Sequence, residues 1–212
     1  MEALPTFADL THSELEAMLA RASIRSYSKN SVIVTEGDTG DSVYFILNGC
    51  VKVYLSNELG REIVVSQIGT GDYFGEMSLE PGTRSASVMT TEASKFAVVK
   101  MDVFQEFLKT HPDFMLAVIG KLIRRSRTLA RNVKNLALLD VYGRLAQLLH
   151  ELAKPEGNIW VIEKPMTQRD FANHIGSSRE MISRIFKDLI SGEYLVVTRQ
   201  RIEIRRRLPT AW

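Results

Sequence analysis

Among 212 residues there is a single cysteine, Cys50. One thiol forms no internal disulfide and cannot supply a zinc or iron–sulfur site, each of which needs several cysteines. No apolar run approaches the roughly 18 residues that mark a membrane-spanning helix. The opening Met-Glu-Ala-Leu-Pro-Thr has neither the basic nor the apolar region of a signal peptide. A cytoplasmic protein with no membrane partner is expected. A Walker-type phosphate loop, a metal-ligand spacing and a Ser-His-Asp arrangement are all missing too. With no base, nucleophile or metal beside a binding site, an enzyme is not expected. His12, His111, His150 and His174 leave a haem ligand as a remote reading, because a lone histidine is more often a surface or satisfied core residue.

Acidic residues are scarce in one stretch only. Residues 1–110 carry nine Lys+Arg against fifteen Asp+Glu, residues 111–139 six against one, and residues 140–212 twelve against nine. The near-neutral total therefore hides an acidic front and a basic back. Only the back is suited to a polyanion.

The front half reads as β structure after one short helix. Residues 9–22 suggest that helix, with Thr11 and Glu14 as a capping box. Val32 and Val34, Val43 to Leu47, Val51 to Leu55, Ile63 to Val65, Ser85 to Thr90 and Lys95 to Lys100 are short β-type runs. Glu36-Gly37-Asp38, Asn48-Gly49, Asn57 to Gly60 and Gly69 to Asp72 separate them as turns. Short strands at this spacing argue for a small antiparallel barrel or jelly roll.

Phe74 to Ala86 interrupts the pattern: a glycine, a single helical turn, Pro81-Gly82, then Arg84-Ser85. Backbone N–H groups at a helix start favour an anion, an arginine forks onto phosphate oxygens and a serine adds a donor. Glu76 only accepts, so it suits a sugar 2′-hydroxyl beside a cyclic phosphate. The segment reads equally as a structural turn closed by a Glu76–Arg84 ion pair.

Val103 to Leu108 packs a short helix on the barrel. His111-Pro112 then marks a boundary, since the residue before proline avoids the helical region and proline suits a first turn. The helix that follows carries Met115, Ile119, Leu122, Ser126, Leu129, Val133 and Leu136 at heptad spacing, a seam for a second copy. The competing reading is a helix lying on its own barrel. Lys121, Arg124, Arg125, Arg127, Arg131 and Lys134 fall on its outer faces and read as mostly solvated, with some of them open to facing an effector.

The back half opens with a helix over Asp140 to Leu152, ended by Lys154-Pro155-Glu156-Gly157, and a strand over Ile159 to Ile162. Thr167 to Ile190 then reads as two helices around a tight turn. Thr167 caps the first, Gly176 ends it, and Ser177 or Ser178 caps the second. Ala172, Gly176 and Ile182 fall where a helix-turn-helix needs a small residue, a turn glycine and a buried branched residue. Arg179, Glu180 and Arg184 lie at the exposed start of the second helix, the part that enters a major groove; alternatively the arginines are surface ion-pair partners. Leu195 to Thr198 and Ile202 to Ile204 form a wing around Arg199-Gln200-Arg201, with Arg205 to Arg207 as further phosphate contacts or a frayed tail.

The run EGDTGDSVYFILNGCVKVY followed by FGEMSL and TRSA resembles the cyclic-nucleotide-binding cassette. With NLALLDVYGRLAQLL and GSSREMISRIFKDL it resembles, from about residue 5 to about residue 205, the superfamily of the cAMP receptor protein and the fumarate–nitrate-reduction regulator. The resemblance implies an α+β fold: an N-terminal cyclic-nucleotide-binding β-roll (1–110), a long dimerisation helix (111–138) and a C-terminal winged helix-turn-helix (139–212). It implies an effector site at Gly75, Glu76, Met77, Ser78, Arg84 and Ser85. It implies that Ser178, Arg179, Glu180 and Arg184 read TGTGA-type half-sites about one helical turn apart; Thr167, Gln168 and Ser178 are placed for phosphates, and Lys187 is either a phosphate contact or plain solvent charge. It implies as partners double-stranded DNA, a second copy through residues 115–136, and RNA polymerase. One departure stands out. The two positions whose hydroxyls read adenine in the cAMP receptor protein branch are here Leu129 and Ala130, and the Glu76–Arg84 turn is short. The expected effector is therefore a cyclic nucleotide of open identity: cAMP with other contacts such as Thr128 or Asn132, or cGMP or cyclic di-GMP, whose guanine Arg127 and Arg131 could meet. The alternative is an effector-free regulator whose cassette is only a scaffold.

Overall fold

The computed structural model describes residues 20–163 and 165–209. The helix expected over residues 9–22 lies, but for its last three positions, outside them. The chain packs as two units, residues 1–55 with 64–128, and residues 56–63 with 129–212.

Eight strands build the front: β1 (Ser23–Tyr27), β2 (Val32–Val34), β3 (Ser42–Asn48), β4 (Cys50–Ser56), β5 (Glu62–Gly69), β6 (Tyr73–Phe74), β7 (Ser87–Thr90) and β8 (Ser94–Lys100). They form two four-stranded sheets, ordered β1-β8-β3-β6 and β2-β7-β4-β5, with antiparallel pairing throughout the first. Strand β3 shows why its sequence is apolar without a break. Val43 and Phe45 enter one cluster with Tyr73, Val99, Phe104 and Phe114. Ile46 enters another with Val51, Phe74, Val88 and Phe96, against which Tyr44 also packs. Between Val43 and Leu47 the strand is packed on both faces and carries no charged or amide side chain; Ser42, buried at its start, donates its hydroxyl to Asp41. Strand β7 starts two residues later than expected, because Ser85 and Ala86 belong to the bend that precedes it.

Helix α1 (Met101–Thr110) and the start of α2 (Pro112–Leu138) cover the first cluster through Phe104, Phe107, Leu108, Phe114 and Val118. His111, between them, has a non-helical backbone, and Pro112 takes the first position, where a missing N–H is harmless. Helix α2 lies on its own barrel along one side and leaves a second set of apolar residues exposed. Phe114, Ala117 and Val118 are buried and Leu122 packs partly on the barrel, while Met115, Leu116, Ile119, Ile123, Leu129, Val133 and Leu136 stay exposed.

In the second unit, helix α3 (Val141–Leu152) is capped by Asp140, whose carboxylate accepts from the Gly143 N–H at 2.7 Å. Strands β9 (Lys154–Glu156), β10 (Ile159–Glu163), β11 (Leu195–Val197) and β12 (Arg201–Ile204) form a sheet ordered β11-β12-β10-β9. Lys154-Pro155-Glu156, expected only to end a helix, is the edge strand β9. An edge is where a sheet tolerates proline, since the missing N–H faces away from the ladder. Helices α4 (Gln168–Ile175) and α5 (Arg179–Ser191) pack with α3 and the sheet on a core that includes Leu145, Leu149, Phe171, Ile175, Ile182, Ile185, Phe186 and Leu189. Each of these large side chains contributes about 1.5–3 kcal/mol by leaving water.

Candidate effector cradle and nucleic-acid interface

Strand β6 delivers the chain to Gly75, whose φ of +92° begins a short 3-10 turn over Glu76–Leu79. A Cβ at Gly75 would stand 2.7 Å from the Ser42 carbonyl oxygen and 2.9 Å from Arg84 Nη1. Both the backbone and the space therefore demand glycine. Beyond the turn, Arg84 folds back underneath it. Its Nη2 donates to the Ser42 carbonyl at 2.9 Å, and its Nη1 to Ser78 Oγ at 3.1 Å and the Gly75 carbonyl at 3.3 Å. Ser85 Oγ lies 3.2 Å from the sulfur of Met77, which is itself exposed.

Glu76 is 1% exposed. Its partner is Arg125 of α2 and not Arg84, so the turn is not closed by the Glu76–Arg84 pair that the sequence also allowed. One carboxylate oxygen accepts from Arg125 Nη1, whereas Glu76 Oε2 and Arg125 Nη2 are buried without a partner. Both residues line a cleft, open to solvent, with an apolar wall of Val34, Val53, Phe74 and Val88 and a polar wall that includes Glu76, Arg84, Ser85 and Arg125. An unanswered buried polar atom costs about 1–3 kcal/mol. A ligand bringing a hydroxyl to Glu76 and an acceptor to Arg125 would remove both costs at once. The structure thus gathers Gly75, Glu76, Met77, Ser78, Arg84 and Ser85 around one cleft and adds Arg125, one of six bases on α2 that the sequence reads as mostly solvated with some open to facing an effector. The signal that would have found it is its stripe: Phe114, Val118, Lys121 and Arg125 recur at helical spacing on the side of α2 that meets the barrel.

In the second unit, Thr167 and Asp170 form a reciprocal capping box. The Thr167 hydroxyl also donates to the Asp170 carboxylate at 2.7 Å, so its proton is already committed within the cap. Gly176 ends α4 with φ +67°, a conformation that favours glycine. Of the two candidate serines it is Ser178 that caps α5, accepting from the Met181 N–H at 3.2 Å. Arg179, Glu180, Arg184 and Lys187 are exposed opposite the buried Ile182, Ile185, Phe186 and Leu189, and Gln168 is half-buried at the start of α4. The arginines that do carry ion pairs lie elsewhere. Arg201 and Arg205 both pair with Glu203, at 2.8 and 3.0 Å, and Arg206 pairs with Glu193 at 2.7 Å. Hydrogen bonds from both arginines hold the Glu203 carboxyl below its ordinary pKa. Three of the bases expected as possible phosphate contacts are thus partly neutralised. Among the described residues no helix is long and apolar enough to cross a membrane, and no cluster of His, Cys, Asp and Glu could hold a metal ion.

Residues 24–111 match the family model of the cyclic nucleotide-binding domain, and residues 143–208 that of the Crp-like helix-turn-helix domain. Fold and site together define a DNA-binding transcription regulator with a cyclic-nucleotide-binding domain, not an enzyme. The chain is 32% identical over 188 residues to the "cAMP-activated global transcriptional regulator CRP" of Salmonella typhimurium, covering 84% of this chain and 88% of that one. It is 30% identical to the protein of the same name from Pasteurella multocida, over 86% of this chain and 89% of that one. Among solved structures, the c-di-GMP responsive global regulator CLP of Xanthomonas campestris superposes with a TM-score of 0.81 at 25% identity, over 91% of this chain and 98% of that one. The chain belongs to the CRP/FNR family of transcription regulators.

Proposed function

We propose that the protein is a cytoplasmic, homodimeric regulator whose affinity for DNA is set by a cyclic-nucleotide-type effector bound in the Glu76–Arg84 cleft. The observation that carries this is the pair of buried, unpartnered atoms, Glu76 Oε2 and Arg125 Nη2, on two residues that line one cleft with Arg84 and Ser85. Glu76 accepts the ribose 2′-hydroxyl. Arg84, Ser85 and the amides of the turn hold the phosphate, with Gly75 giving the close approach and Met77 and Ser78 flanking. Arg125 supplies a guanidinium that leans toward effectors rich in acceptors, and one guanidinium can fork onto guanine O6 and N7. The relatives named above are respectively cAMP-activated and c-di-GMP responsive, so cAMP, cGMP and cyclic di-GMP are the effectors to test. No metal cofactor is needed.

Residues 1–110 form the effector domain in this reading, 111–138 the dimerisation helix and 139–212 the DNA-binding domain. The exposed stripe Met115, Ile119, Ile123, Leu129, Val133 and Leu136 supports pairing with a second copy through residues 115–136. The exposed face of α5 supports major-groove reading by Arg179, Glu180 and Arg184 of TGTGA-like halves, one helical turn apart. Lys187, Gln168, Ser178 and Thr167 hold the phosphates, Thr167 through its backbone or after its cap loosens, and RNA polymerase is the downstream partner. Selection of bound sequences from a random DNA pool tests the reading. TGTGA-like inverted repeats are expected, and a selected motif lacking them would overturn the assignment of α5.

One observation favours the second reading, an effector-free regulator. Arg84 already donates to Ser42, Ser78 and Gly75, and Glu76 already has a cation, so the cleft is partly self-satisfied. Calorimetric titration with the three nucleotides separates the two. Binding of any one that is lost in Arg84→Leu supports the effector, and no heat with all three supports the scaffold.

A further inference from the structure

One helical turn before Arg125, Lys121 occupies a place a lysine rarely takes. Its side chain is 12% exposed. Its ammonium pairs with the Asp72 carboxylate, donates to the Tyr73 carbonyl oxygen at 2.5 Å and lies 3.5 Å from the centre of the Tyr73 ring. Burying a cation costs several kcal/mol unless its charge and donors are answered. Burial indeed pulls the Lys121 pKa down, while Asp72 and Glu76 oppose that shift. Packing alone does not call for the charge, since the neighbours on the same stripe, Phe114 and Val118, are apolar and serve the cluster around Tyr73. The partners of the charge are what distinguish it. All three belong to Asp72-Tyr73, the two residues that lead through Phe74 into Gly75-Glu76.

Strand β6 is two residues long and pairs with β3 at Tyr44↔Phe74 and Phe45↔Tyr73, the Ile46 N–H donates to the Asp72 carbonyl oxygen at 2.8 Å just before it, and its two rings are buried in the barrel. It then passes into a left-handed glycine and a 3-10 turn, neither of which has a ladder of its own. Yet the free oxygen of Glu76 has to be aimed to within a fraction of an ångström to accept a hydroxyl. We propose that Lys121 is a positioning residue for effector binding: it pins Asp72-Tyr73 to α2 and thereby sets the direction in which Glu76 presents its unpartnered oxygen. Lys121 and Arg125, a turn apart, then act as a two-point clamp, one holding the strand and the other the carboxylate. The inference deepens the reading of Glu76 as the acceptor of a nucleotide hydroxyl and rests on it.

The test compares cyclic AMP with 2′-deoxy cyclic AMP on the full chain, using wild type, Lys121→Met, the near-isosteric Asp72→Asn, Glu76→Gln, and Lys121→Met combined with Glu76→Gln. A positioning role predicts that Lys121→Met and Asp72→Asn weaken cyclic AMP by about tenfold, the scale of one hydrogen bond to a charged group. It predicts no change for the deoxy analogue, which has no hydroxyl for Glu76. In the Glu76→Gln background, Lys121→Met should cause no further loss. Equal losses for both nucleotides, or losses that add to that of Glu76→Gln, would reduce Lys121 to a stabilising residue and overturn the proposal, as would unchanged cyclic AMP affinity. If wild type binds neither nucleotide, it is the reading of the cleft for these ligands that fails, and the clamp is decided without ligand. Amide exchange across residues 73–78 should then quicken by about tenfold in Lys121→Met, and unchanged protection there would reject it.

Discussion

A carboxylate 1% exposed with one oxygen unanswered is a costly thing to keep, and its neighbours show what maintains it. Glu76 leans on Arg125, and the whole turn leans on a glycine that no side chain could replace. Removing Arg125 leaves a buried charge alone. Arg125→Met is expected to lower stability by up to about 3 kcal/mol, the low end for breaking a buried pair because Arg125 keeps some contact with water. Arg125→Met with Glu76→Gln should recover most of that loss, read from melting temperatures as a double-mutant cycle; additive losses would mean the two side chains are not coupled. On the DNA side, Arg179→Ala should cost about 1–3 kcal/mol of discrimination at one guanine of the half-site. An equal loss on every sequence would make Arg179 a phosphate contact. These residues differ in how plainly the sequence announces them. Glu76 and Arg84-Ser85 stand in a motif, and Arg179-Glu180 opens a helix behind a capping serine. Arg125 and Lys121 are two bases among six on one helix, set apart in the sequence only by sharing a helical stripe with Phe114 and Val118.

At the scale of elements, α2 carries two apolar faces, one packed on the barrel and one exposed, and heptad spacing shows only one of them. Met115, Ile119, Leu129, Val133 and Leu136 are exposed as a seam for a partner requires, but Leu122, in the same register, leans on the barrel and Ile123 is exposed beside it. A period shared by two faces cannot be divided from sequence alone. Val133→Glu should convert a dimer to monomer in sedimentation while leaving the melting of each chain nearly unchanged, because Val133 is solvent-facing within one chain. A variant that stays dimeric would place the interface elsewhere. The helix-turn-helix was fully legible, since cap, turn glycine and buried branched residue are local chemistry. Strand β9 was not, because its lysine, proline and glutamate carry no strand signal; it exists only because β10 offers an edge. Strand β6 was too short for any alternation to show.

For the molecule as a whole, a cyclic nucleotide-binding domain and a Crp-like helix-turn-helix belong to one family of regulators, and the account's central claim is that the first controls the second. The most direct measurement is fluorescence anisotropy of a labelled TGTGA-type palindrome, titrated with protein at one fixed salt concentration because phosphate contacts make affinity salt-dependent. It is run without nucleotide and with cyclic AMP, cyclic GMP or cyclic di-GMP, on wild type and on Arg84→Leu. The account predicts that one nucleotide moves the wild-type affinity by at least about tenfold, a coupling of about 1.4 kcal/mol, and that Arg84→Leu abolishes the shift while still binding the palindrome. Identical curves under all four conditions in both proteins would contradict it and leave the barrel as a scaffold.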